Sequence, residues 1–288
     1  MLRPVDGLIG PCGESTISSL SLLGRARGPR GKEWEKAMRI AVISDIHGNL
    51  AALDEVLADI ARRGADIIVN LGDICASPLW PRETFERLEA LKLPTVRGNH
   101  DRWVAERARE KLGPTMGFEY DQLLPAQRMA LGALPATLQL DGGDILAVHG
   151  TPTDDETFLL EDRVESRMHL SRPKEIKARL GNVNASLVLC GHSHTQQVVQ
   201  IPGGPLIANP GSVGCPVFAE GPDAADTNAR SPHARYALLS RNNGRWSAEM
   251  FALAYDWDRA ARRALENNRP EWARMYASGS VLPTEVSM

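Results

Sequence analysis

Short polar clusters follow short apolar runs at five places along this chain, and that repetition restricts the folds and chemistries open to it. The run 40–43 leads into Asp45-Ile46-His47, and the run 67–71 into Gly72-Asp73. Thr95-Val96 precedes Gly98-Asn99-His100-Asp101, the run 145–148 precedes His149-Gly150, and the run 187–190 precedes Gly191-His192-Ser193-His194. Brief apolar runs bounded by turn residues read as buried strands. Aspartate, histidine and asparagine are therefore delivered repeatedly to strand ends, where loops gather into a single site. Carboxylates, imidazoles and an amide oxygen suit Mn, Fe, Zn, Ni or Co, whereas thiolates would point to structural zinc. A hydrolytic two-metal site, with ions about 3.5–4 Å apart, needs a shared carboxylate and further ligands on each side. No P-loop, G-x-G-x-x-G, G-x-S-x-G or H-E-x-x-H pattern occurs, so rival motif chemistries have no foothold.

Each cluster taken singly has an ordinary explanation. Asp45, Asn99 and Asp101 are residue types that cap helices, and Gly48-Asn49 or Gly98-Asn99 can be plain turns. Five strand-end clusters in one chain, all without function, are a far poorer explanation than one shared site.

Taken in order, D-x-H, G-D, G-N-H-D, a lone histidine and G-H-x-H resemble the calcineurin-like metallophosphoesterase family, and the stretch Asn209-Pro210-Gly211-Ser212-Val213-Gly214 is similar to its small bacterial phosphodiesterase branch. The resemblance runs from about Met38 to about Leu253. It implies a four-layer sandwich, two stacked mixed β-sheets flanked by helices. It also implies a dinuclear site, with Asp45, His47 and His194 on one ion, Asn99, His149 and His192 on the other, and Asp73 bridging. A hydroxide between the ions would attack phosphorus, and His100 would protonate the leaving oxygen with Asp101 orienting its ring. The cofactors implied are two divalent ions, Mn first, with Fe, Ni, Co or Zn also fitting. The activity implied is hydrolysis of small, possibly nucleotide-like phosphodiesters. Alternatives are a phosphomonoesterase or protein phosphatase, for which Arg102 is a weak candidate substrate ligand, and a non-catalytic scaffold of the same fold. Where some relatives carry Gln-Pro-Arg after the Asn-Pro-Gly stretch, this chain has Cys215-Pro216-Val217.

Among 288 residues, 43% are hydrophobic and 24% charged, as expected for a globular α/β core. The net charge of −3 offers no basic footprint for nucleic acid, and no apolar run is long enough to span a membrane. Four cysteines without a C-x-x-C pair point to a reducing, cytoplasmic setting. Oligomeric state is not encoded in any recognisable pattern.

Along the chain, residues 1–37 are rich in Gly, Pro and Ser and are expected to be poorly ordered, with Met38 as the expected native start. Residues 38–254 form the expected catalytic domain, and 255–288 a helical extension packed on the core. Helices are expected at 49–63, 81–91, 102–112 and 171–180, and in two pieces over 255–277 broken near Pro270. Strand pairs are expected around Asp141-Gly142-Gly143 and Asn242-Asn243-Gly244. Pattern alone supports an α/β class with mixed sheets. The loop 216–232 is expected to be mobile, Trp80 to pack beneath its proline-rich loop, and His169 and His233 to lie apart from the site. Arg97 is a further candidate to touch a substrate phosphate.

Overall fold

A computed structural model describes residues 38–164, 167–217 and 231–280. The expectations for 1–37 and for most of the 216–232 loop lie outside the described residues. Strand β1 (Met38–Ile43) pairs in parallel with β2 (Ile67–Asn70) through helix α1 (Leu50–Arg63), as a βαβ connection requires. Its other edge pairs antiparallel with β10 (Ala234–Asn242), which in turn pairs with β11 (Arg245–Leu253). The first sheet thus has the order β11-β10-β1-β2.

A second sheet is built from β3 (Thr137–Leu140), β4 (Ile145–Val148), β7 (Leu187–Leu189), β8 (Gln196–Gln200) and β9 (Leu206–Pro210), in the order β3-β4-β7-β9-β8. It is also mixed: β4, β7 and β9 run parallel, and β3 and β8 close its edges antiparallel.

The period of two along a strand sets the layers. Ile40 and Val42 on one face of β1 pack with Val69 and Leu71, and with Ile145, Ala147, Leu187 and Leu189 of the second sheet. Ala41 and Ile43 on the opposite face pack with Leu53, Val56, Leu57 and Ile60, the apolar stripe of α1. On the far side of the second sheet, Leu146, Val148 and Val188 meet Ile176 and Leu180 of helix α6 (Pro173–Leu180). The result is two mixed sheets face to face with helices outside. Each fully buried aliphatic side chain in these layers contributes roughly 1.5–3 kcal/mol.

Turn chemistry follows the sequence where it is explicit. Gly64 ends α1 with a positive φ of 77°, donating its N–H to Ile60. Asn243 and Gly244 both take positive φ, 53° and 71°, the conformation a tight hairpin needs between β10 and β11.

Four local expectations are corrected. The helix expected at 102–112 is α3 (Asn99–Glu106), because Arg107 and Ala108 turn extended before a 3-10 turn at 109–111. Thr95-Val96 forms no full strand, only a bridge from Thr95 to Asn70. Helices α4 (Pro114–Gln122) and α5 (Pro125–Gly132) were not expected. Nor was the hairpin of β5 (Glu161–Val164) and β6 (Arg167–Leu170).

At the C-terminal end, α2 (Pro81–Leu91) is preceded by Leu79 and Trp80, which share a buried cluster with α7 (Trp257–Glu266) and α8 (Pro270–Ser278). Ala260, Ala264, Trp272 and Tyr276 supply the helical side of that cluster, so the Trp80 ring is core rather than a surface platform. Cys75, Cys190 and Cys215 are buried free thiols. Among the described residues no helix is long and apolar enough to cross a membrane.

Candidate metal centre

The C-terminal ends of β1, β2, β4 and β7 open on one side of the two sheets, where ligand sites of parallel α/β sheets form. Asp45 and His47 follow β1, Asp73 follows β2, His149 follows β4, and His192 and His194 follow β7. Asn99 and His100 open α3. Asp45, His47, Asp73, His192 and His194 all hold positive φ, between 46° and 67°, a region non-glycine residues rarely occupy. Such strain persists only where surrounding structure enforces it, and it gathers at functional sites.

The first group is Asp45, His47 and His194, whose ligand atoms lie within 4.8 Å of one another. His47 Nε2 stands 3.1 Å from His194 Nε2, and Asp45 Oδ1 stands 3.3 Å from the same nitrogen. His47 Nδ1 lies 2.9 Å from the carbonyl of Ala76, which can only accept, so Nδ1 carries the proton and Nε2 turns a lone pair inward.

The second group is Asp73, His149 and His192, within the same span. His149 Nδ1 donates to the Leu71 carbonyl at 2.7 Å, which leaves Nε2 facing Asn99 Oδ1 at 3.0 Å and Asp73 Oδ2 at 3.3 Å. His192 is fixed the other way round: Nε2 donates to the Glu156 carbonyl at 2.9 Å, so Nδ1 holds the lone pair. Imidazole nitrogens, carboxylate oxygens and an amide oxygen thus converge on the two groups. That donor set fits hard or borderline divalent cations, and the fixed tautomers are those that metal-bound histidines need.

Asp73 stands between the two groups. Its Oδ1 accepts the backbone N–H of His100 at 3.0 Å, at the first turn of α3. Its Oδ2 lies 3.3 Å from His149 Nε2, 3.9 Å from His47 Nε2 and 4.0 Å from His100 Nε2. One oxygen is anchored; the other is aimed at both groups.

The electrostatics match a site built for positive charge. Burial alone would raise Asp45, but His194 and His149 overcome it and hold the carboxyl at about 2. Asp73 likewise stays well below the usual carboxylate range, with His149 and His100 overcoming burial. Burial and the charge of His194 press His47 down to about 3, and burial and His149 press His192 to about 4. His149 rises to about 10 because Asp73 outweighs its burial, and Asp45 does the same for His194. The two carboxylates pull on whatever cation reaches them.

Asp101 does not hold the His100 ring as expected. Its Oδ2 accepts the N–H of Asp73 at 2.9 Å and of Gly98 at 2.9 Å, and its Oδ1 that of Ile74 at 3.0 Å. It braces the turn that carries Asp73. His100 Nδ1 instead lies 3.1 Å from Met116 Sδ, with the Trp103 ring 5.0 Å away. Nor does Arg102 present its guanidinium to the centre, because Asp155 and Glu156 take it up. Arg97 donates to the Gly132 carbonyl. His169 is exposed, and His233 packs beside Trp257.

Close approach makes Gly98 and Gly191 necessary. A side chain at Gly98 would collide with the Asp73 carboxylate, and one at Gly191 with Ser44 Oγ. Asn209, Ser212 and Gly214 were legible as a motif but not as scaffolding. Asn209 Nδ2 donates to Gly191 O at 2.8 Å, and Ser212 Oγ to Asp45 O at 2.7 Å. The N–H of Gly214 donates to Asp45 O at 3.1 Å, so this segment ties the β1 turn to the Gly-His-Ser-His loop. Asn49, which caps α1, also donates to Gly214 O.

Residues 38–229 match the calcineurin-like phosphoesterase superfamily domain. An uncharacterised protein of Methanocaldococcus jannaschii is 28% identical over 256 residues, covering 81% of this chain and 94% of that protein. Among solved structures, a metallophosphoesterase from Sphaerobacter thermophilus is similar with a TM-score of 0.66 and 25% identity, over 85% of this chain and all of that one. A hypothetical protein from Pyrococcus horikoshii shares the fold, with a TM-score of 0.65 and 19% identity over 84% and 98% of the two chains.

Proposed function

We propose that this chain, which belongs to the calcineurin-like phosphoesterase superfamily, is a dinuclear-metal-dependent phosphoesterase acting by preference on phosphodiesters. The observation that carries the reading is the position of Asp73 Oδ2 between two convergent ligand groups, with His100 Nε2 beside it.

Asp45, His47 and His194 would hold one cation and Asn99, His149 and His192 the other, with Asp73 shared. When bound, two such cations supply a water acidic enough to attack phosphorus and neutralise charge on the phosphoryl oxygens. Mn is the cation proposed, and Fe, Ni, Co or Zn suit the same ligands. His100 would deliver a proton from Nε2 to the leaving oxygen. Its backbone N–H meanwhile orients Asp73.

Preference for a diester rests on charge. Arg102, the sequence's candidate to grip a dianionic monoester, is balanced by the carboxylates of Asp155 and Glu156. The singly charged diester is less opposed by that acidic rim. Small, nucleotide-like diesters fall within this class.

Turnover of bis(p-nitrophenyl) phosphate and of p-nitrophenyl phosphate by the Mn-reconstituted protein tests the proposal. The expected result is a higher kcat/KM for the diester. A higher value for the monoester would overturn the diester preference. Full metal loading with no turnover of either substrate would favour a non-catalytic scaffold.

A further inference from the structure

Helix α3 and the loop after β4 meet at one ion-pair cluster outside the centre. Arg102 lies on the first turns of α3, three residues after Asn99. Its Nε donates to Asp155 Oδ2 at 2.8 Å and its Nη2 to Asp155 Oδ1 at 2.7 Å, a two-pronged grip. The same Nη2 reaches Glu156 Oε1 at 2.6 Å, Trp103 Nε1 donates to that oxygen at 3.1 Å, and Glu106 lies 3.7 Å from Nη1.

Asp155 and Glu156 sit in the loop that leaves β4 directly after His149. The loop is braced internally: the N–H of Thr151 donates to Asp154 O at 2.7 Å, and that of Asp154 to Thr151 Oγ1 at 3.0 Å. The backbone carbonyl of Glu156 accepts His192 Nε2 at 2.9 Å, and the ring of Phe158 lies 4.6 Å from the His192 ring. Arg102 therefore connects the helix carrying Asn99 and His100, the loop following His149, and the carbonyl that fixes His192.

We infer that Arg102 is a positioning residue for the second ligand group, acting through Asp155 and Glu156 to hold the carbonyl that sets the His192 tautomer. This rests on the proposed dinuclear reading of the centre. It replaces the role of substrate ligand that Arg102 has in the sequence. Lysine would not substitute, because a point charge cannot reproduce the planar fork.

Electrostatics and positioning predict opposite signs. Removing Arg102 takes away a positive charge and frees two carboxylates, both of which would strengthen cation binding by charge alone. If Arg102 acts by position, binding weakens instead. Loss of an outer contact to a ligating histidine typically costs about 10–100-fold in metal affinity.

The test is calorimetric titration of Mn into the metal-stripped full chain, for the parent, Arg102→Ala, Arg102→Lys and Asp155→Asn, with Arg172→Ala as a surface ion-pair control. The parent is expected to take up two equivalents. Arg102→Ala and Asp155→Asn are expected to weaken one of them about 10–100-fold and leave the other unchanged, with no rescue in Arg102→Lys. Unchanged or tighter binding in Arg102→Ala would overturn the inference and leave the dinuclear reading standing. Equal weakening of both equivalents with a lowered melting temperature of the metal-free protein would also overturn it, as a purely structural effect. Full binding with a raised KM for bis(p-nitrophenyl) phosphate would return Arg102 to the substrate. Fewer than two equivalents in the parent would reject the dinuclear reading itself.

Discussion

The carboxylate of Asp101 accepts the backbone N–H of Asp73 at 2.9 Å, so one buried aspartate sets the position of another. The same carboxylate takes the N–H groups of Gly98 and Ile74, and joins the turn after β2, 27 and 28 residues away, to the turn that opens α3, three residues away. Burial and the charge of Asp73 raise its carboxyl to about 6, against the amides of Ile74 and Gly98, which favour the anion.

Removing that carboxylate strands three buried amides. Asp101→Ala is expected to lower stability by about 3 kcal/mol or more, since bonds to a charged acceptor contribute about 1.5–3 kcal/mol each. Asp101→Asn is expected to fail as well, because its NH2 group would face donors. Denaturant unfolding of the metal-free protein measures both, and a loss below about 1 kcal/mol would contradict the bracing role.

Gly98 has an ordinary φ of −85°, so space rather than backbone freedom requires glycine there. A methyl group would overlap the Asp73 carboxylate. Gly98→Ala is expected to abolish tight Mn binding, measured by titration, while the far-ultraviolet circular dichroism stays close to that of the parent.

His100 contacts the centre without belonging to either ligand group. His100→Ala is expected to retain both metal equivalents and lose about 10²–10⁴-fold in kcat, the usual contribution of a positioned proton donor. Metal analysis beside steady-state kinetics separates the two effects. Lost metal would make His100 a ligand instead.

Glu161, on β5, is buried, and burial raises its carboxyl to about 7 from an ordinary 4.5, with Ser193 and Arg179 pulling the other way. The folded chain thus holds the proton more tightly than the unfolded one. The resulting stability is complete below about pH 4.5 and is lost as pH rises toward 7. Glu161→Gln, which stays neutral, is expected to match the parent at pH 5. At pH 8 it should be more stable by about 2–3 kcal/mol. Equal stability at both pH values, from urea unfolding, would contradict this.

The convergent polar side chains were legible because each follows a short apolar run: the run stops, and Asp, His or Asn follows. The architecture followed from the same alternation, as Ile40 and Val42 face one layer and Ala41 and Ile43 the other. What sequence could not reveal depends on backbone atoms meeting across long separations. The tautomers of His47, His149 and His192 are set by the carbonyls of Ala76, Leu71 and Glu156, and any residue type supplies a carbonyl. Asp101 adjacent to His100 suggested a contact between neighbours, yet on a helix its side chain points to the preceding turn. Helix α4 is not legible in the sequence because Pro-Thr-Met-Gly-Phe carries no apolar stripe, and its burial is imposed by tertiary packing.

In the proposed centre Asp73 joins two cations through one carboxylate, and its loss is expected to separate them. The most direct measurement is the metal stoichiometry of the Mn-reconstituted parent and of Asp73→Ala, with turnover of bis(p-nitrophenyl) phosphate on the same samples. Two equivalents and turnover are expected in the parent, and fewer than two with no turnover in the variant. Two tightly held equivalents and undiminished turnover in Asp73→Ala would contradict the proposed centre.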